Sequence, residues 1–375
     1  MYRLALKFGW GLLLVATTAC SGQQETAAPD VAPSRDQTAA AVPRGVEQVD
    51  GRPIETLAGV RRDGAGQIVE LNLRDAEPGA VSPVLAAAEQ MPKLRSLLLN
   101  EAALTASDVQ HIAAISSLEH LDLRGCPVGD ESLRQLTALP RLKAVRLSGQ
   151  DGDTEVTDAG LRSLGELPAL AVLAIDFLPI SDRGLASIAG RTQLQELYAA
   201  GTELTDAAAE TLRQLSHLSK LRIASTGFTS RGINEFAAGK PPLVELDVSD
   251  CPGVDDGALE SIGGLKSLNK LNLYHTAVTT GRWDRIEGLS QLRWLNVDKT
   301  GVDDAALVAI GKLKGLRFLH LGSTSISDAG LDHLTGLDGL QELIVTRTAV
   351  TQAGVDRLQA ALPSTEIQLQ YVAGR

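Results

Sequence analysis

Ser96, His120 and Asp122 are the residues of this chain whose types come nearest to a catalytic set. A hydroxyl, an imidazole and a carboxylate on one sheet face are what acyl transfer uses. Nothing beside them supplies donors for an oxyanion, and an open strand face is expected to be broad and shallow, without a cleft. No catalytic residue is assigned. Asp130, Asp158, Asp182, Asp206, Asp256, Asp304 and Asp328 recur at a regular interval and suggest a calcium ladder. Each stands where a helix begins, and a carboxylate there favours the positive helix end, which accounts for them without a cation needing six to eight oxygens. The acidic run Asp151-Gly152-Asp153-Thr154-Glu155 reads as a solvated insertion for the same reason. Cys126 and Cys251 stand five periods apart, ~25 Å at the spacing of stacked strands, too far to pair, and read as buried small apolar residues. No phosphate loop, dinucleotide fingerprint or zinc motif occurs, and neither a metal nor a cofactor is expected.

Binding chemistry is concentrated later in the chain. Writing out the third, fifth and seventh positions of each alternating segment gives the outward face. The third position reads Glu196, Lys220, Glu245 and Lys270, alternating charges expected to satisfy one another, and continues as Trp294 and Phe318. Around these rings lie Tyr274, Asn296, Asp298 and His320. Exposed aromatics among amides and a carboxylate are the composition of a contact surface, and these six residues are the expected ligand-binding set. Phe177, Phe228, Phe236 and Trp283 fall in turns or helices and read as packing residues.

The elements that position these residues follow from a repeat. Segments such as Leu118-Glu119-His120-Leu121-Asp122-Leu123 and Leu268-Asn269-Lys270-Leu271-Asn272-Leu273 begin at Ile68, Leu94, Leu118, Leu142, Leu170, Leu194, Leu218, Leu243, Leu268, Leu292, Leu316 and Leu340. Most starts are 24 residues apart, which gives twelve units. Alternating Leu predicts a strand with one face buried. Thr157-Asp158-Ala159-Gly160-Leu161 and Ser327-Asp328-Ala329-Gly330-Leu331, followed by apolar residues three apart, predict a capped short helix. One unit cannot bury both faces alone, but stacked units share a continuous core.

This pattern resembles the leucine-rich-repeat family over residues 68–369. The (Ser/Thr)-Asp-x-Gly-Leu segment is similar to the bacterial and cysteine-containing subclasses, with Cys126 and Cys251 at the turn that is cysteine in the latter. The resemblance implies an α/β solenoid, a right-handed horseshoe or arc with parallel strands on the concave face and short helices on the convex face. It implies a non-enzymatic protein-binding module. Glycan binding by the same rings, or a ligand-free envelope spacer, are the alternatives. Residues 46–67 are expected to cap the N-terminal end of the repeats at 68–363, and residues 364–375, with Ile367-Gln368-Leu369, to add a C-terminal cap strand.

The first 19 residues read as a signal peptide, with Arg3 and Lys7 before the apolar run that ends at Ala19. Thr17-Thr18-Ala19-Cys20 resembles a bacterial lipobox, which implies lipidation at Cys20 and, with Ser21 next, an outer-membrane destination. Residues 20–45, rich in Ala, Pro, Gln, Thr and Ser, read as a tether. The net charge of −11 repels phosphate backbones and excludes nucleic acid as the expected partner. A protein ligand is expected, with membrane attachment through the N-terminal lipid.

Overall fold

The computed structural model describes residues 46–150 and 152–370. The signal, Cys20 and tether expectations lie outside these residues. Among the described residues no helix is long and apolar enough to cross a membrane.

Fourteen strands form one unclosed sheet, each paired with its neighbours in chain order. From Ile68–Asn72 to Glu366–Gln368 every pairing is parallel, and each connection passes through a helical segment or turn on the other side. Register is held by the repeated Leu: Leu97, Leu121, Val145, Leu173 and Leu197 are Cα partners in succession, and all are buried. A one-residue slip would turn those side chains to solvent and forfeit about 2 kcal/mol each. The long fourth unit therefore keeps register, pairing Ala144 with Val172.

The segment before the first repeat folds onto the end of the sheet. Gly59–Arg62 pairs antiparallel with Ile68–Asn72, and Asp63 closes the connecting turn by accepting from the N–H groups of Ala65 and Gln67. Ile54 and Leu57 are buried in the apolar core at this end. At the other end, Glu366–Gln368 pairs parallel with Glu342–Ile344 after the helix Gln352–Ala361.

Helical segments of one to three turns would not persist alone; inter-repeat hydrogen bonds hold them. Thr157, Ser181, Ser327 and Thr351 cap their own helices. Their N–H and hydroxyl groups also donate to the aspartate opening the preceding helix. Asp158 accepts from Ser181 N and Oγ at 2.9 and 2.6 Å, and Asp304 from Ser327 at 2.7 and 2.6 Å. The periodic aspartates are therefore more than local helix-end charges: each bonds the next repeat to its own.

A second ladder runs inside the turns that follow several of the strands. Thr202, Thr226, Thr276, Thr300 and Thr324 are buried and donate to the carbonyl three residues earlier. Cys126 and Cys251 occupy the same turn position, buried and unpaired, and donate instead to Leu99 O and Ile223 O of the preceding repeat. Burial pushes the Cys126 thiol up to about 12 and moves Cys251 in the same direction. In Val46–Arg375 at pH 8, neither thiol is expected to react with a disulfide reagent such as Ellman's reagent until denaturant is added, when two should react. Reaction in the folded chain would contradict this burial.

The residue before that ladder takes a left-handed conformation. Glu101, Phe177, Ser225, Asp250, His275, Lys299, Ser323 and Arg347 all have φ between 50° and 62°. Such a backbone costs ~1–2 kcal/mol per residue. It is held where the turn N–H donates to the next repeat, as Lys299 N does to Gly322 O and His275 N to Asp298 O. Phe177, read from the sequence as a packing residue, is 39% exposed because this turn projects it outward. Phe228, Phe236 and Trp283 are buried.

Candidate ligand-binding face

The third-position row is continuous across six strands: Glu196, Lys220, Glu245, Lys270, Trp294 and Phe318 are successive Cα partners. Lys220 bridges Glu196 at 3.1 Å and Glu245 at 3.7 Å. These half-exposed pairs contribute some tenths of a kcal/mol each. The Lys270 ammonium lies 4.7 Å from the centroid of the Trp294 ring. On the other side of that ring, Phe318 stacks with centroids 4.9 Å apart and planes within 5°. The Phe318 ring then meets His320 edge-on at 6.4 Å.

The six expected contact residues are all half-buried, and they form two groups. Trp294, Phe318 and His320 make one contiguous aromatic run. Tyr274 stands at the far end of its strand segment, four residues beyond the third position or ~13 Å along the strand. There the Lys299 ammonium contacts its hydroxyl at 2.5 Å and lies 4.9 Å from its ring centroid. His275 follows Tyr274 and bonds Asp250 at 2.7 Å. Asn296 uses its carbonyl internally, accepting from Asp298 N at 2.9 Å, and leaves its amide N–H groups for other partners.

His320 is held uncharged near neutrality: burial pushes its imidazole below the ordinary range, against the pull of Asp298. Composition alone did not mark Lys299, Gly322 or Thr346 as part of this face. The signal was positional. Gly322 occupies the seventh position, where the flanking repeats carry Asp298 and Thr346.

At the opposite end of the sheet the strand face is likewise open and shallow. A shallow open depression of about 340 Å³ lies over Ser96 and His120, lined also by Arg61, Asp63, Val69, Arg95 and Glu119. The three residues do not form a relay. Asp122 is buried and held by Arg124 through Nε at 2.9 Å and Nη2 at 2.6 Å. Burial pushes the His120 imidazole down, and Glu119 opposes that effect. The Glu70 carboxyl is held below its ordinary range by Arg61, with further help from the Ser96 hydroxyl.

Comparison with known proteins agrees with this architecture. A family model described as a leucine-rich repeat matches residues 114–136, the segment that contains the strand His120–Asp122. The chain is similar to a crystallised internalin of Listeria monocytogenes at 16% identity and a TM-score of 0.59, covering 83% of this chain and 92% of that one. A leucine-rich-repeat protein of Leptospira interrogans matches at 19% identity over 76% of this chain and 80% of that one, with a TM-score of 0.46. With the Leu register, the parallel unclosed sheet and the matched repeat in agreement, the chain has the leucine-rich-repeat fold.

Proposed function

We propose that the protein is a non-enzymatic recognition module. It is anchored by lipid at Cys20 in a bacterial envelope, in the outer membrane, and its strand face around Trp294 and Phe318 contacts a protein ligand. The observation that supports this is the aromatic run of Trp294, Phe318 and His320, half-buried on the strand face and bordered by Asn296 and Asp298. Aromatic anchors with a polar rim are what protein interfaces use. Trp294 has Lys270 over one face and Phe318 on the other. Its ring edge is what a partner meets, which suits protein side chains better than a sugar needing an open ring face.

The test is affinity capture from envelope extract with Val46–Arg375 and with a Tyr274→Ala, Trp294→Ala, Phe318→Ala version, both first shown to be folded by circular dichroism. Removing aromatic anchors should weaken a protein partner at least about 30-fold. Capture competed by envelope polysaccharide would replace the protein ligand with a glycan. Equal capture by both forms would move the contact off this face. Capture by neither would leave a spacer.

A further inference from the structure

Gly322 opens a notch in the strand face. A Cβ built on its Cα would stand 3.0 Å from each of three polar atoms: Asp298 Oδ1, His320 Nε2 and Thr346 Oγ1. Asp298 and Thr346 belong to the repeats on either side, and His320 stands two residues earlier in the same repeat. Among the described residues none of these three atoms takes part in a hydrogen bond, although Thr346 is buried and the other two residues are half-buried. The Phe318 ring packs against His320 beside the notch.

We propose that this notch binds a primary ammonium group presented by the protein ligand, a refinement that rests on the protein-binding reading of the same face. The three atoms match that group. A carboxylate only accepts, a hydroxyl can accept, and an uncharged imidazole offers one nitrogen lone pair, while an ammonium has three N–H donors and no acceptor. A ligand nitrogen must stand further from the Gly322 Cα than a Cβ would, which puts it toward solvent with the three groups around it. A phosphate or carboxylate would meet the Asp298 charge. Glu342 and Glu366, in register beyond Phe318, and the net charge of −11 favour a basic partner further. Phe318 can pack against the apolar stem of a lysine, which keeps its charged head in the polar notch.

The experiment titrates the isotope-labelled full chain with three probes while following the Gly322 amide and the His320 ring by NMR. Nα-acetyl-lysine amide offers a side-chain ammonium, glycinamide an α-ammonium, and Nα-acetyl-norleucine amide a similar stem with no charge. One or both ammonium probes should shift these signals saturably and norleucine should not; which of the two binds tells a lysine side chain from a chain terminus. Asp298→Asn, nearly isosteric, should weaken binding at least about tenfold, the factor carried by one charge-assisted hydrogen bond. Gly322→Ala, which fills the notch with a methyl, should do the same while leaving Trp294 and Phe318 in place. Should the alanine variant fail to fold, Asp298→Asn alone decides. Equal response to norleucine, or unchanged affinity in Asp298→Asn, overturns the proposal.

The two readings fail separately. Protein capture that survives Gly322→Ala but is lost in the triple aromatic variant overturns the notch and keeps the protein-binding face. Ammonium binding with no captured protein keeps the notch and overturns that reading.

Discussion

Gly184→Ala is expected to lower the stability of Val46–Arg375 by about 3 kcal/mol, and removing the Asp158 side chain should relieve most of that loss. A Cβ at Gly184 would overlap the Asp158 carboxylate of the preceding repeat, with Cγ only 2.6 Å away. The carboxylate cannot yield freely, because it accepts from both Ser181 N and Ser181 Oγ. Displacing it breaks two charge-assisted bonds and leaves the Ser181 N–H unsatisfied. Asp158→Ala alone loses the same bonds and should cost about 2–3 kcal/mol. The double variant should then resemble Asp158→Ala, a coupling of about 3 kcal/mol in a urea-unfolding cycle. Additive losses would mean that Gly184 answers to something other than the carboxylate.

The chain already contains this experiment. Gly160, Gly184, Gly232, Gly330 and Gly354 each stand against the aspartate that opens the preceding helix. Where that opening residue is Ala106, Ser230 or Thr280, the corresponding positions are Ser132, Ala258 and Ala306. Ala208 is an exception: it follows Asp182 in a turn wound as a 3₁₀ segment over Asp206–Ala208. The aspartate and the glycine are 26 to 30 residues apart, so reading one unit at a time explains the aspartate as a helix-end charge and leaves the glycine unexplained.

The same distinction separates what was legible on the strand face from what was not. Alternating Leu shows which side chains share a face, because burial acts on every unit alike. It therefore revealed the charge ladder and the row that carries Trp294 and Phe318. Distance along a strand is not part of that pattern, so Tyr274 was grouped with rings that lie at the other end of the strand segment. The turn conformation was hidden as well. Nothing in the type of Phe177 shows that its backbone has φ 59° and projects the ring outward. Asp122 could not be known to face Arg124 instead of His120, since both are neighbours by position. The notch at Gly322 was visible only as a missing side chain in a row, and three repeats had to be aligned before the polar atoms around it had meaning.

Trp283→Ala should have the largest effect on stability, about 4 kcal/mol. In the ninth unit the usual α-helix is absent. Arg282 adopts φ 60°, and a 3₁₀ segment spans Trp283–Ile286. Trp283 is 2% exposed and fills the core at this point, with its indole N–H donating to Thr279 O at 2.7 Å. Thr279 is itself held by Asp256 of the preceding repeat at 2.7 Å through N. Truncation therefore opens a large cavity beside a segment with little helical stability of its own. Trp283→Phe keeps most of the volume and loses the hydrogen bond, and should cost about 1–2 kcal/mol. Because each repeat is supported mainly by its neighbours, weakening an interior unit should also divide the array. Urea unfolding of Trp283→Ala should then show two transitions, the repeats after Leu292 separating from those before Leu268. Trp294 and Phe318 lie on the C-terminal side of that division. A single transition shifted by less than about 1 kcal/mol would mean that the ninth unit is held by its Leu positions alone.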